Sequence, residues 1–276
     1  MDSILQKLTP TALVTAIEAN RIAFGSNLGR VLSVAQGHSA EADWFITGVP
    51  FMMANSVART QFTGENVDAK IDETLSHFKT HRVPMTWWVG PMMRPTNLGT
   101  LLQARGLTGV EDTPGMAVDL KSLNEMPAPR GLTIERVADT AALSRWTAIA
   151  SDVFQFPECM ADLYFKAYAR SSLEEHEPWY HYFGWLDDKP VAISSLLLAA
   201  GVAGIWAVAT LPEARGQGIG TAITLAPLRD ARAMGYHVGI LNSSPMGLNV
   251  YQRLGFQEYC KVGFYVWAGD NKPGEE

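Results

Sequence analysis

The stretch VATLPEARGQGIGTAITLAPLRDARAMG, Val208 to Gly235, decides the reading of this chain. A strand-like run ends at Thr210, and three alternate glycines, Gly216, Gly218 and Gly220, follow it with Arg215 directly in front. In the segment after them Ile219, Ala222, Ile223, Ala226 and Leu228 share one side at helical spacing, and Gly235 ends the pattern as a C-cap glycine does. Glycines between a strand and a helix let the backbone turn sharply and gather several N–H groups into one concavity. The helix adds its own unpaired N–H groups and the positive end of its dipole. Such a junction binds phosphate. A glycine-rich turn with no ligand is the competing reading.

Two familiar phosphate loops fail on spacing. A Walker loop requires Gly-Lys-Ser/Thr, whereas Gly220 and Thr221 are adjacent. A dinucleotide fingerprint requires Gly-x-Gly-x-x-Gly and an acidic residue ending the next strand, whereas this loop is Gly-x-Gly-x-Gly and HVGILN carries no carboxylate.

The bulk properties bound the rest. The 276 residues suffice for two ordinary domains, since domains run to roughly 100–200 residues. A content of 47% hydrophobic and 18% charged residues builds a packed core. No apolar run approaches the ~20 residues of a membrane span, and MDSILQKLTP has neither a basic n-region nor a cleavage site, so neither membrane nor secretion is expected. Cys159 and Cys260 have no pairing or metal-ligand spacing, which fits a reducing cytoplasm. Both are expected as packing residues, and no metal is expected. The net charge of −6 argues against broad nucleic-acid binding.

The segment NEMPAPRG, Asn124 to Gly131, reads as a linker and divides the chain into a domain over 1–126, a linker at 127–130 and a domain over 131–276. The second half alternates as strand (LTIERV), two helices, three strands (YHYFGWL, VAISSLLL, GIWAVAT), helix, strand (HVGILNS), helix (GLNVYQRL) and a last extended pair (FQEYCKVGFYVWA). This is a mixed α/β layer. Asp139 or Thr140 caps its first helix, and the second is expected from Cys159 to about Arg170.

In this context Arg215-Gly216-Gln217-Gly218-Ile219-Gly220 resembles the acyl-CoA loop of the GNAT superfamily of N-acetyltransferases, and LNVYQRLGF, Leu248 to Phe256, resembles its closing helix. The resemblance covers about Gly131 to Ala268. It implies a GNAT-like mixed sheet flanked by helices, with acetyl-CoA as cosubstrate and a small-molecule or peptide amine as acceptor. The pyrophosphate would rest on amides of Gln217, Gly218, Ile219, Gly220 and Thr221, beside Gly216, with Arg215 adding charge. Val208, Ala209 and Thr210, splayed from HVGILN, would offer backbone groups to the thioester and the pantetheine arm. Tyr251 falls where the family keeps a tyrosine that protonates the CoA sulfur, the alternative being a core tyrosine. Ser244 stands where many members have asparagine, seven residues before that tyrosine.

The base is open on this reading. GIWAVAT lacks the carboxylate that many members carry on the fourth strand, which leaves Glu135, His181, Tyr182 or water relayed to backbone carbonyls. Phe154, Phe156 and Pro157 are candidates for an apolar acceptor wall, against a plain core role. The run Glu174, Glu175 and Glu177 around His176 is a candidate attractor of a cationic amine, against a solvated loop.

The first half offers extended candidates at RVLSVAQ (30–36), DWFITGV (43–49) and PMTWWVG (84–90), and a helix after Asn66 with Ile71, Leu75 and Phe78 on one face. Gln61 to Pro91 spans 30 residues, as does Arg215 to Pro245, which lays QFTGEN on RGQGIG. Leu102 then takes the tyrosine's place, with five extra residues before it. One reading is a degenerate GNAT-like copy that completes the acceptor side and binds no CoA, because Glu65 sits where phosphate would lie. An unrelated α/β domain with accidental spacing is the other. Function is accordingly expected as acyl-CoA-dependent N-acyl transfer, with a catalytically silent CoA-binding module and a purely structural protein as alternatives. A homodimer is compatible with all three.

Overall fold

The computed structural model describes residues 3–171 and 178–269. The acidic run at 174–177 lies outside the described residues. The elements are α1 (Pro10–Leu32), β1 (Ala35–His38), β2 (Ala42–Ile46), β3 (Asn55–Thr60), α2 (Val67–His81), β4 (Met85–Val89), α3 (Leu98–Gln103) and β5 (Thr108–Asp119). They continue with β6 (Leu132–Arg136), α4 (Thr140–Phe154), α5 (Glu158–Ser171), β7 (Trp179–Leu186), β8 (Lys189–Ala199) and β9 (Val202–Thr210). The last are α6 (Ile219–Ala233), β10 (Val238–Asn242), α7 (Leu248–Arg253) and β11 (Gln257–Trp267).

The chain forms two compact units, one taking in the chain up to Ala23 with Pro114–Tyr259, the other Phe24–Thr113 with the chain from Cys260 on. This division differs from a cut at 127–130. The unit bounds fall inside α1, β5 and β11, and long elements that change unit midway leave no mark in composition. The proline-rich stretch read as a linker is a strap on the first unit: Glu125 pairs with Arg229 and Arg232 at 2.9 and 2.6 Å. The Asn124 amide donates to Leu254 O at 3.1 Å.

In the first unit the strand order is β5-β10-β9-β8-β7-β6, antiparallel throughout except that β9 and β10 run parallel. Period-two alternation assigns the faces. Tyr182, Leu196 and Ile205 pack with Ile219, Ile223 and Leu228 of α6. On the opposite face Trp146 of α4 donates to Ser194 O at 3.3 Å. Asp139 caps α4 by accepting from the Ala142 amide at 2.7 Å, as the sequence indicates. The last extended pair is instead a single strand, β11.

The second unit orders β1-β2-β3-β4-β11, with β3 and β4 parallel. Its core gathers Ile71, Leu75 and Phe78 of α2 with Trp87 and Leu102. The sequence of elements β3-α2-β4-α3-β5 repeats that of β9-α6-β10-α7-β11. RVLSVAQ is not one extended segment: its first residues end α1. The glycines of that helix serve close packing, since a Cβ on Gly29 would lie 2.6 Å from the Phe45 ring. Cys159 is exposed and Cys260 half-buried, against the packing role expected of both. On α5 the buried face is Met160, Leu163, Ala167 and Tyr168.

α1 also carries a buried polar anchor. Asn20 donates to Leu197 O and Ala199 O at 3.2 and 3.0 Å and accepts from the Trp206 indole at 3.0 Å. Asn20→Ala strands all three partners, and leaving buried groups unpaired costs about 1–3 kcal/mol each. A urea melt should therefore show a loss of about 3 kcal/mol or more. A loss under about half a kcal/mol would show that this anchor does not hold the β8–β9 hairpin.

Candidate functional site

The site grows from an irregularity in β9. Its ladder with β8 slips between Ile193–Ala209 and Ser195–Trp206, so that Ser194 opposes both Ala207 and Val208, and Ala207 takes a left-handed φ of 49°. A bulge of this kind bends its strand and releases backbone groups from the ladder. On its other edge β9 pairs with β10 only at Ala203–Gly239 and Gly204–Ile240. Beyond those pairs the strands part. The divergent residues Val208, Ala209 and Thr210 line a cavity of about 520 Å³. Arg215, Gly216, Gly218, Gly220 and Thr221 continue its wall, and Ser244, Gly247 and Tyr251 are on it as well.

Two of the three loop glycines are required by the backbone. Gly216 and Gly218 adopt φ of 77° and 81°, a region that costs an L-residue about 1 kcal/mol or more. Gly220 is not so constrained, and a Cβ there would meet only Thr210 Oγ1 at 3.8 Å, so what it contributes is open space. Ala222 donates to Gly218 O at 3.1 Å. The amides of Ile219, Gly220 and Thr221 precede that bond and have no acceptor within the helix. Arg215 Nε donates to Thr210 O at 3.1 Å, which ties the guanidinium to the strand end. Gln217 and Ile219 are not among the lining side chains. Gln217 reaches Glu213 O at 3.4 Å, and Ile219 is fully buried in the core. For Ile219, then, only the amide is available to a ligand.

Tyr251 reaches the cavity because Gly247 yields to it: a Cβ on Gly247 would lie 2.6 Å from the ring. Burial pushes the Tyr251 phenol up to about 12, which keeps its proton on at neutral pH. Ser244 works as a cap in place of asparagine, its Oγ accepting from the Gly247 amide at 3.2 Å. Ala214, Met246, Gly247, Val250, Arg253 and Val153, which sequence reasoning does not single out, are also on the cavity wall. The glycine four residues before Tyr251 is the one signal that points to them.

None of the three side chains considered as base lines the cavity. Glu135 is exposed on β6. Tyr182 donates to Asp230 at 2.8 Å, and burial together with that bond raises its phenol well above the usual range. His181 Nδ1 lies 2.7 Å from Ser195 Oγ, and the ring packs against Trp146 and Tyr168. Burial lowers its pKa to about 3. Among the described lining residues the charged ones are Arg215 and Arg253. Arginines beside helix-end amides, with left-handed glycines at the turn, suit a diphosphate. The described residues contain no cluster of three or more His, Cys, Asp or Glu placed to hold a metal. No helix among them is long and apolar enough to cross a membrane.

Residues 143–256, which span this loop, cavity and closing helix, match the Acetyltransferase (GNAT) family. The C-terminal half of the chain holds a GNAT domain. Among solved structures, a GCN5-related N-acetyltransferase from Kribbella flavida is 22% identical with a TM-score of 0.70, over 93% of this chain and 96% of that one. A tandem GNAT protein from the clavulanic acid biosynthesis pathway is 15% identical with a TM-score of 0.58, over 96% of each chain. A putative GNAT acetyltransferase from Novosphingobium aromaticivorans is 16% identical, TM-score 0.55, over 92% and 99%. At these identities the likeness establishes the fold, which in the N-terminal half is GNAT-like too. No curated protein matches the chain.

Within the GNAT-like N-terminal unit the corresponding strand ends are bridged. Past β4 the chain returns to β3: Arg94 donates to Thr60 O and Phe62 donates to Arg94 O, both at 3.1 Å. Gln61 Nε2 donates to Met92 O at 2.8 Å. The residues after Pro91 thus bond to the end of β3, and Leu102, where the GNAT domain has Tyr251, is core.

The buried His181 generates a pH prediction. Its folded pKa lies below the ordinary value near 6.5, so its stabilisation is complete above that pH and lost as pH falls toward 3. Between pH 6.5 and 5 unfolding free energy should drop by about 1 kcal/mol per unit more than in His181→Gln. Parallel curves for the two proteins would contradict the assignment.

Proposed function

We propose that the GNAT domain is an N-acetyltransferase that moves an acyl group, acetyl in the simplest case, from acyl-CoA to a primary amine by direct attack in a ternary complex. The observation that carries this reading is that one cavity joins the glycine junction, the splayed half of β9 and Tyr251. CoA supplies the activated thioester. The amides at the start of α6 and the Arg215 guanidinium would hold its diphosphate. Backbone N–H groups freed at the Ala207–Val208 bulge would meet the oxygen that becomes negative on attack, a placement worth on the order of 10² or more in rate. Tyr251, protonated and largely shielded from water, would give its proton to the departing sulfur, a role worth about 10²–10⁴. The amine attacks in its uncharged form, which for a lysine-like amine is about one molecule in 10³ at neutral pH. As the C–N bond forms and the C–S bond breaks, the surplus proton on nitrogen would leave to water, and Tyr251 would regain its own from water after CoA departs as the thiol.

Calorimetry should find one CoA per chain, and Gly218→Asp should abolish the heat by putting bulk and like charge at a left-handed position. Unchanged affinity in the variant would remove the loop from the account, and two CoA per chain would show that the N-terminal half binds CoA as well. In a thiol-release assay with acetyl-CoA and a panel of amines, Tyr251→Phe should lower kcat by at least ~10²-fold with CoA affinity kept. Equal turnover would take Tyr251 out of the mechanism. CoA binding with no release for any amine would favour a silent CoA-binding module.

A further inference from the structure

If the GNAT domain is the transferase proposed for it, the wall at the end of α4 bears on the choice of acceptor. Helix α4 ends at Phe154, and Gln155 takes a left-handed φ of 54° while the Phe156 amide donates to Ser151 O at 3.0 Å. This turn brings the two phenylalanines that flank Gln155 together, with ring centroids 5.4 Å apart and a 32° tilt. Phe156 in turn stacks on Tyr164 at 5.3 Å and 15°, and Tyr164 lies 5.4 Å from Tyr168 in the core. Phe154 is the outermost ring of this ladder. It is 39% exposed and with Val153 lines the cavity that also holds Val208 and Tyr251.

An exposed aromatic ring packed on a second ring that is itself stacked on a third offers a flat apolar surface held from behind. The lining selects as well. No carboxylate is among the described lining residues, so a second ammonium on the acceptor would find no counter-ion there. We infer that the acceptor is a primary amine joined to an aromatic or similarly flat apolar body with no further cationic group, and that Phe154 is the side chain that recognises that body. This acceptor class rests on the transferase reading of the same cavity.

The test uses the full-length protein saturated with CoA, titrated calorimetrically with 2-phenylethylamine and separately with 1,4-diaminobutane. Phenylethylamine should bind about ten-fold more tightly or better. Phe154→Ala should erase most of that difference and leave CoA affinity unchanged, while Phe154→Leu, which keeps apolar bulk at an exposed helix end, should retain part of it. Equal or tighter binding of the diamine overturns the inference. So does a Phe154→Ala variant that weakens CoA as much as the aryl amine, because the ring would then belong to the pantetheine path. Failure of CoA itself to bind the wild-type protein overturns the transferase reading and this inference with it. Normal CoA binding with no amine preference overturns this inference alone.

Discussion

Two parallel strands that stop pairing are the constraint on which the rest of the site depends. β9 and β10 share the residue pairs Ala203–Gly239 and Gly204–Ile240, after which the bulge at Ala207–Val208 turns β9 aside. A sheet interior normally satisfies its backbone groups with a neighbouring strand. Here Val208, Ala209 and Thr210 line a cavity instead, and on the edge that β10 leaves, Thr210 O accepts from Arg215. The second unit shows the alternative outcome for the same order of elements. There the chain after β4 comes back to bond with residues 60–62.

From that opening the other features follow in order. The strand end must connect to α6 within a short loop, and Gly216 and Gly218 supply the left-handed turns that make the connection. The helix then begins with its unpaired amides at the mouth of the opening, where Arg215 is tied to Thr210. Across the cavity α7 presents Tyr251, seated over Gly247 and shielded enough to stay protonated. Each part has a local physical cause, and together they line one cavity in the GNAT domain.

Much of this is legible in the sequence, for reasons that also explain the misses. The loop glycines, the amphipathic face of α6 and the order of elements in the GNAT domain are local patterns, and local patterns survive in a one-dimensional reading. Helix α1 escapes such a reading because Gly25 and Gly29 suggest irregular chain, whereas Gly29 is there to admit the Phe45 ring. The strap at 124–131 reads as a linker because composition cannot show that Glu125 meets Arg229 and Arg232. His181 and Tyr182 draw attention by residue type, and only tertiary contacts reveal one inside an aromatic cluster and the other bound to Asp230. Wall residues such as Met246, Val250 and Arg253 carry no motif of their own. They matter by position alone.

The most direct test of the central claim is residue-resolved: backbone amide NMR of the full-length protein with and without CoA. The account predicts that the largest shifts cluster at residues 216–221 and 207–210, with residues 61–66 unmoved. Shifts centred on 61–66, or a loop at 216–221 indifferent to saturating CoA, would contradict it.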